Sequence, residues 1–433
     1  MKGRRRLYIG LSLTPTWLRG KSSHEEEGGK PIDMIEFYVG LAKMAERAKL
    51  DFVFRPDTLF LRVQQGRAPQ FGSIDPTIMM TAIARETERI GLVTTISTTF
   101  NPPYVVARQL QSLHWVSGGR AGWNIVTSLD GAENFSNAPM PSAEEKYAIA
   151  REFTDVVSKL WESYPYEALA GASSPDSAGS GVQIAPIDHE GPYFHVKGPL
   201  NTAAHYSGSV PLFQAGASDT GRNFAASIAN AIFASIPDME AGIELCQDLR
   251  RRAVQNGREP EAVRVLPGMY FFLGHTREEA HRMHEETHAA ISVERRYASV
   301  EMILGIDLRQ LPLDYKLTRD SLPDAAQPVR SRTHADLLRR YIADNKPTVE
   351  QLLSRPEVVG SSHWVVIGTV DDAIDDIVTW FEAGAMDGFI ALPGGSELSL
   401  HLFFDELMPK LVERGLYRSE YSGTTLREHM DMA

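Results

Sequence analysis

Residues 90–128 read IGLVTTISTTFNPPYVVARQLQSLHWVSGGRAGWNIVTS, and this stretch decides the fold. The β-branched run at 90–96 predicts a buried strand, which Pro102-Pro103 cannot continue because proline has no N–H for a ladder. From 104 to 114 the apolar residues recur at helical spacing, and 122–128 predicts a second strand. A strand, a helix and a strand in this order form a βαβ unit. Its two strands should be parallel and joined by a right-handed crossover.

Similar buried runs alternate with helical patterns along the whole chain. They lie at residues 7–13, 52–54, 90–96, 123–127, 211–215, 231–236, 263–273 and 388–392. Eight strands that alternate with helices predict an α/β fold of the (β/α)8 TIM-barrel class. We expect a single domain over residues 1–433 with two insertions, at about 163–210 and about 305–359. The second insertion should be a helical lid, whose leucines 337, 338, 352 and 353 pack onto the barrel mouth.

Composition and charge exclude several classes of protein. The net charge of −12, without a basic stripe, argues against a nucleic-acid partner. No run reaches the ~18 apolar residues of a membrane-spanning helix, so we expect no membrane insertion. The basic start at 2–6 is interpreted as a tail before the first strand, because no signal-peptidase site follows it. The single cysteine, Cys246, excludes an intrachain disulfide and suits a reducing cytoplasm.

Several segments together resemble the bacterial-luciferase-like flavin monooxygenases. They are STTFNPPYVVARQLQSLHWVSGGRAGWNIVTS at 97–128, FVFRPDTLF at 52–60, DPTIMMTAIARETERIGL at 75–92, GPYFHVKGPLN at 191–201, LFQAGASDTGRNFAA at 212–226 and GTVDDAIDDIVTWFEAGAMDGFIALP at 368–393. The branch that they resemble holds nitrilotriacetate, dibenzothiophene-sulfone and long-chain-alkane monooxygenases. The resemblance implies a luciferase-like TIM barrel that uses FMN, reduced by a separate NAD(P)H:flavin reductase, to oxygenate a small organic substrate with O2. We also expect a homo-oligomer, a dimer or a tetramer.

Polar residues that follow the predicted strands are the candidates for binding the flavin. Asp57 follows the second strand, where the family has an aspartate that binds flavin, although an aspartate there can also cap a turn. Thr98 matches a family threonine that approaches the isoalloxazine ring, although threonine is also common in strands. Asn124, Thr127 and Ser128 end the fourth strand, and their side chains can bind the ribityl chain or the ring edge.

The phosphate of the flavin has its own candidate residues. Gly216 lies in a run of small residues that leads from the fifth strand into a helix, where a phosphate can approach unpaired N–H groups. Ser218 can donate its hydroxyl to the phosphate or cap the helix, and both roles are compatible. Asp219 would repel a phosphate unless it points away. Tyr147 matches a family tyrosine that reaches the phosphate.

The family pattern is broken at one position near the flavin. Ala143 stands where the family often has a histidine, four positions before Tyr147. Either His189, His195 or His205 supplies that contact instead, or the chemistry of this protein differs. We therefore assign no catalytic acid or base from the sequence.

Residues 284–288 carry a competing motif, HEETH, which matches the HExxH pattern of zinc peptidases. The helix is too charged for a buried zinc site, so we expect an outer helix, no metal, and no role for His284 or His288 in activity. Its docking stripe is predicted as Ala280, Met283, Thr287 and Ile291. A zinc peptidase through His284-Glu285-x-x-His288 is thus the alternative from another class. A deazaflavin-dependent oxidoreductase of the same barrel and a flavin-binding protein without catalysis also stay open.

Overall fold

The computed structural model describes most of the chain. The described residues are 6–15, 34–60, 74–171, 183–216, 218–289, 291–324, 332–359 and 362–432. The strands are β1 (Tyr8–Ser12), β2 (Phe52–Arg55), β3 (Gly91–Ser97), β4 (Ala121–Val126), β5 (His189–Glu190), β6 (His195–Val196), β7 (Leu212–Gln214), β8 (Ala231–Ala234), β9 (Arg264–Leu273), β10 (Trp364–Gly368) and β11 (Gly388–Pro393). The helices are α1 (Met34–Arg47), α2 (Pro76–Glu86), α3 (Pro103–Val116), α4 (Ala143–Glu162), α5 (Tyr166–Gly171), α6 (Asp219–Ile228), α7 (Met239–Gln255), α8 (Arg277–Ala289), α9 (Val293–Leu304), α10 (Arg332–Asn345), α11 (Val349–Leu353), α12 (Pro356–Val359), α13 (Val370–Glu382), α14 (Glu397–Leu402), α15 (Met408–Glu413) and α16 (Leu426–His429).

Eight of these strands close into a parallel barrel in the order β1-β2-β3-β4-β7-β8-β9-β11. Closure comes from β11, which pairs with β9 on one edge and with β1 on the other. All eight strands that the sequence predicts are the barrel strands, so the predicted (β/α)8 fold is confirmed. Among the described residues, no helix combines the length and the apolar character that crossing a membrane requires.

The strand β10 was not predicted. It pairs in parallel with the second half of β9, from Trp364 opposite Met269 to Gly368 opposite Leu273. The partner of the first half of β9 is β8, whose pairing ends where Ala234 meets Pro267. Since β10 begins where β8 stops, the long strand β9 extends the sheet past the barrel rim.

Helix starts follow local chemistry that the sequence makes visible. Asp75 caps α2 by accepting hydrogen bonds from the backbone N–H groups of Thr77 and Ile78, and Pro76 fills the first helical position, which needs no donor. Ser142 caps α4 by accepting from the N–H of Glu145. These caps fix where each helix begins behind its strand.

Apolar side chains fill the barrel lumen at the amino ends of the strands, and we call this part the lumen floor. Its lining is apolar and consists of Phe52, Phe54, Val93, Phe213, Ala231, Leu266, Ile390, Leu426 and Met430. The last two come from the short helix α16 and the residue that follows it, which lie at the amino ends of the strands. A Cβ at Gly91 would lie 2.5 Å from Leu426 Cδ1, so a side chain there would exclude the leucine. Removing the buried Leu426 side chain should cost about 2–5 kcal/mol of stability.

A buried ion pair holds this floor in place. Arg418 pairs with Asp51 and donates a 2.9 Å hydrogen bond from Nη2 to the carbonyl of His429. Asp51 also accepts from the N–H of Ile9 at 2.6 Å. Because both charges are buried, removing either partner alone should be strongly destabilising.

Helix α9 and the segment predicted as the second insertion share a small separate core. Its buried side chains are Val300, Ile303, Leu304, Leu308, Leu317, Ala335, Leu338, Ile342, Val349, Leu352, Leu353 and Val358. The prediction that its leucines pack onto the barrel mouth is therefore wrong for Leu338, Leu352 and Leu353. The fourth leucine, Leu337, lines a cleft of about 340 Å³ together with Ser218 and Arg340.

Candidate active site

The carboxyl ends of β3 and β4 lie side by side and are joined by hydroxyl groups. Thr95 is opposite Asn124 in the parallel register. Beyond the strand ends, Ser97 Oγ lies 2.7 Å from Ser128 Oγ, and the N–H of Ser128 donates to Thr99 Oγ1 at 3.2 Å. Ligand sites of such barrels lie at this end of the strands.

Asn124 presents a buried acceptor to the lumen. It shares a strand face with Gly122, which contacts Leu426 of the lumen floor. Its Nδ2 donates to Thr95 Oγ1 at 3.0 Å, but its Oδ1 has no hydrogen-bond partner among the described residues. An unpaired buried acceptor costs about 1–3 kcal/mol, so this oxygen fits a site where a ligand supplies the donor.

Tyr147 of α4 reaches across to the turn after β7. Its hydroxyl is within hydrogen-bonding reach of the side chains of Thr127, Gln214 and Ser218, and burial raises the pKa of this phenol. A Cβ at Gly216 would lie only 2.3 Å from Tyr147 Oη. The glycine therefore leaves room for a hydroxyl, and the four polar groups converge on one turn.

Ser218 caps α6, since its Oγ accepts from the N–H of Gly221 at 3.2 Å. The first N–H groups of the helix have no acceptor within the helix and favour an anion at this point. Asp219 does not oppose that anion, because its carboxylate turns away to pair with Arg252. Both roles considered for Ser218 are thus compatible with the geometry.

Asp57 and Thr98 lie on the neighbouring loops. The carboxylate of Asp57 is half-buried and accepts a 2.8 Å hydrogen bond from the N–H of Thr58. Burial, with a smaller contribution from Asp75, raises the pKa of Asp57. Thr98 is fully buried, and its hydroxyl donates to the carbonyl of Val126 at 3.3 Å. Neither side chain is hydrogen-bonded to the Tyr147 turn in the part of the chain that the structure describes.

The histidines considered as replacements at position 143 do not come near this turn. His189 pairs with Glu152 farther along α4, at 3.0 Å between Nε2 and Oε1. His205 lies at the amino ends of the strands, where its Nδ1 is 2.7 Å from Ser207 Oγ. His195 is exposed on the β5–β6 hairpin. The contacts of these three side chains do not involve the Tyr147 turn, and which group replaces the family histidine stays open.

Three residues at the site were missed by sequence reasoning. Gln214 orders the turn through its Oε1, which accepts from the N–H of Gly216 at 2.7 Å. Gly221 packs against the hydroxyl of Tyr147, and a Cβ at this glycine would lie only 2.7 Å from Tyr147 Oη. Lys146 is buried on the first turn of α4 and donates to the carbonyl of Ser128 at 3.0 Å. Burial lowers the pKa of this lysine. Gln214 could have been predicted from the sequence, because it is a polar residue at the end of a strand.

The docking stripe predicted for α8, the helix that carries HEETH, agrees with its burial pattern, because Ala280 is buried and Met283 and Thr287 are half-buried. His288, which is buried, and His284, which is half-buried, widen this packed face beyond the predicted stripe. The two imidazoles are 4.5 Å apart, and His284 lies edge-on to Phe272 at 4.8 Å. Burial, with the neighbouring histidines, lowers the pKa of His284 to about 4. Within the described ranges, no group of three or more His, Cys, Asp or Glu is arranged to hold a metal ion.

Comparison with known proteins identifies the family. The model of the luciferase-like monooxygenases matches residues 13–387 of the chain. The chain belongs to this family. It is 32% identical over 434 residues to N-acetyl-S-(2-succino)cysteine monooxygenase of Bacillus subtilis, which covers 99% of this chain and 97% of the relative. It is 34% identical over 416 residues to nitrilotriacetate monooxygenase component A of Aminobacter aminovorans, covering 92% and 90%.

A solved relative agrees with this luciferase-like assignment. Riboflavin lyase, solved with modified FMN and its substrate riboflavin, superposes with a TM-score of 0.81 at 29% identity, covering 98% of this chain and 95% of that one. The predicted family is confirmed, including the branch that holds nitrilotriacetate monooxygenase. Its members named here are monooxygenases or act with a flavin, which defines the general kind of chemistry.

Proposed function

We propose that this luciferase-like protein is the oxygenase of a two-component system. It uses FMN, reduced by a separate NAD(P)H:flavin reductase, and O2 to oxygenate a small organic substrate. The observation that carries the proposal is the turn formed by Tyr147, Gly216 and Ser218 at the start of α6, which fits a phosphate.

The residues present fit FMN at both ends of the molecule. Tyr147 and Ser218 would donate hydroxyl hydrogen bonds to the phosphate, and the N–H groups at the start of α6 would add to them. The unpaired Oδ1 of Asn124 would accept from the ring edge or a ribityl hydroxyl. Asp57, beside the same mouth, would accept from a second such donor. When bound, reduced FMN supplies the chemistry that transfers oxygen, as cofactors do in general.

The chain's own task is to orient the flavin and exclude water. The lumen floor below Asn124 is filled by apolar side chains, including Phe54 and Phe213, so water cannot enter from the amino ends of the strands. Excluding water favours transfer of oxygen to the substrate over release of hydrogen peroxide. Thr98, which follows β3, would place its hydroxyl group near the ring, whereas Thr127 lies within reach of the Tyr147 hydroxyl.

The separate reductase is supported by two observations. One relative is named component A of its monooxygenase, which implies a further component in that system. The chain also lacks a G-x-G-x-x-G segment that would indicate a dinucleotide-binding βαβ unit. A reducing cytoplasm suits the single cysteine, and a dimer or tetramer remains our expectation for the assembly.

The test measures cofactor binding first and turnover second. Titration of the purified protein with FMN, reduced FMN and a deazaflavin should show preferred binding of FMN in one of its redox states. Oxygen uptake is then followed with NADH, FMN, a flavin reductase and a panel of organic substrates. Oxygen in the product should come from O2, as ¹⁸O labelling reports. Tighter binding of the deazaflavin, with no oxygen incorporated, would replace this proposal by the deazaflavin alternative.

A further inference from the structure

The lumen face of β9 continues past the barrel rim as a pair of aromatic rings. Leu266 belongs to the lumen lining, and residues at intervals of two along a strand share its face. Tyr270 and Phe272 therefore point to the same side as Leu266. Phe271 points to the other side, where its ring stacks on that of Phe403, the residue after α14, with 4.9 Å between the ring centroids.

Helix α8 packs on this lumen face and not on the outer one. Its His284 lies 4.8 Å from Phe272, and its His288 lies 6.1 Å from Tyr270. The ring of Phe272 also packs against Gly394 in the loop after β11, which belongs to the barrel mouth. The two histidines of the HEETH segment consequently border the space above the lumen.

The ring of Phe233 connects this region to the deeper part of the lumen. Phe233 of β8 lies 5.2 Å from Phe54 of β2, edge to face. On its other side Phe233 stacks on His363 at 5.0 Å. Gly268 of β9 makes this stacking possible, because a Cβ there would lie 2.5 Å from His363 Nδ1.

These rings face the flavin residues across the mouth. In the closed order of eight strands, β9 is four places from β3, so the two strands are diametrically opposite. Thr98 follows β3, whereas Tyr270 and Phe272 end β9. A flavin bound near Thr98 and Asn124 would thus have these rings on the far side of the remaining space.

We propose that Phe233, Tyr270, Phe272, His284 and His288, which we call the aromatic–histidine wall, bind a planar aromatic or heteroaromatic substrate, and that His284 hydrogen-bonds its polar substituent. This inference rests on the proposed function and names the substrate class of the same site, and it replaces the expectation that His284 and His288 have no role in activity. Flat rings favour edge-on and offset contacts with another aromatic ring. The wall carries no lysine or arginine, so its chemistry does not suit a polycarboxylate.

The hydrogen-bonding capacity of the wall is defined by its histidines. The carbonyl of His284 can only accept, so Nδ1 of His288, 2.8 Å away, carries the proton and donates to it. In neutral His288 the Nε2 atom is then an acceptor. A neutral His284 offers one donor and one acceptor, which suits a sulfone, carbonyl or ring-nitrogen substituent.

The test compares His284→Leu, which removes both hydrogen-bonding atoms, with His284→Asn, which keeps a donor and an acceptor. His401→Leu is the matched control, because His401 is an exposed histidine of α14 away from the mouth. Binding of dibenzothiophene sulfone and 2-hydroxyquinoline is measured by titration calorimetry, with nitrilotriacetate as the polyanionic comparison. FMN affinity and thermal melting are measured for every variant.

We expect at least one planar probe to bind and nitrilotriacetate to bind much more weakly. His284→Leu should weaken the planar probe about ten-fold, while His284→Asn and His401→Leu stay within about three-fold of the parent. FMN affinity and melting should not change. For a probe that is turned over, KM should rise about ten-fold in His284→Leu with a smaller change in kcat.

Three results would overturn the inference. They are unchanged probe affinity in His284→Leu, equal weakening in His401→Leu, and binding of nitrilotriacetate with no binding of either planar probe. Failure of the proposed function has a different signature, because the parent protein would then bind no FMN while probe binding is still measurable. The two failures can therefore be told apart in one set of titrations.

Discussion

Replacing Gly216 by alanine adds a single methyl group to the turn of Tyr147, Gly216 and Ser218, which is proposed to bind the phosphate of FMN and is called the phosphate turn below. The new Cβ would lie 2.3 Å from Tyr147 Oη and 2.6 Å from Gln214 Nε2, far inside contact distance. The glycine has no positive φ, so alanine adds no backbone strain. The tyrosine hydroxyl must then retreat by about 1 Å, and a hydrogen bond stretched by that much is lost.

The magnitude follows from the bond that is lost. A hydrogen bond to a charged group contributes about 1.5–3 kcal/mol, so FMN affinity should fall about 10- to 150-fold. Fluorescence titration of FMN measures this fall directly. Gly40→Ala is the matched control, because a Cβ at this exposed helical position meets no atom within 4 Å. Its FMN affinity should not change.

A double-mutant cycle isolates the proposed contact. In a Tyr147→Phe background the hydroxyl that the methyl displaces is absent, so Gly216→Ala should cost much less affinity than it does in the parent. If Gly216→Ala binds FMN as tightly as Gly40→Ala does, the phosphate does not lie in this turn. Equal losses in both backgrounds would show that the methyl acts on something other than Tyr147.

Four further results are expected. Ser218→Asp should abolish FMN binding yet keep the fold, because aspartate still caps α6 while its charge repels the phosphate; unchanged affinity in a fluorescence titration would contradict this. Asp57→Asn should raise the melting temperature above pH 7 and weaken FMN binding. The pKa of Asp57 is raised in the folded protein, so the stability linked to its proton is present at low pH and is lost as pH rises through that pKa. Asparagine carries no charge at any pH and does not lose this stability. A melting temperature that falls at every pH would refute it. The purified chain should oxidise NADH or NADPH negligibly, with or without FMN, and an added flavin reductase should restore oxygenation; rapid, saturable oxidation by the chain alone would favour a self-sufficient enzyme. The second insertion, 305–359, should exchange amide hydrogens faster than the barrel strands and slow down on ligand binding, and exchange as slow as that of β3 would rule out a lid.

The barrel was predictable because its signals are local. The runs at 90–96 and 263–273 are apolar for long enough to indicate buried strands, and helical spacing between runs indicates the alternation. The small residues before α6 and the cap by Ser218 were predictable in the same way, and the phosphate site in this turn stays a prediction. Its partner Tyr147 came from the family resemblance, since nothing in the sequence brings α4 to the end of β7.

Two features could not be predicted from local pattern. The strand at Trp364–Gly368 follows the second insertion, and it was missed because eight other runs already account for a closed barrel. The packed face of α8 is wider than the predicted stripe, because apolar periodicity does not register buried histidines. His284 and His288 pack against Phe272 and Tyr270, where an amphipathic imidazole packs well but adds nothing to an apolar stripe. The insertion's leucines were assigned to the wrong partner because periodicity does not say which surface a stripe meets.

The floor of the barrel has a consequence for how the chain is made. His429 Nε2 lies 2.7 Å from the carbonyl of Arg89, 340 residues earlier, and Leu426 fills the space beside Gly91. During translation, the strands from β1 to β11 therefore emerge before the segment that plugs them. Phe52 and Phe213 gain their contacts with Leu426 and Met430 only after residues 426–430 have been synthesised. Completion of the barrel core therefore follows the synthesis of all eight of its strands.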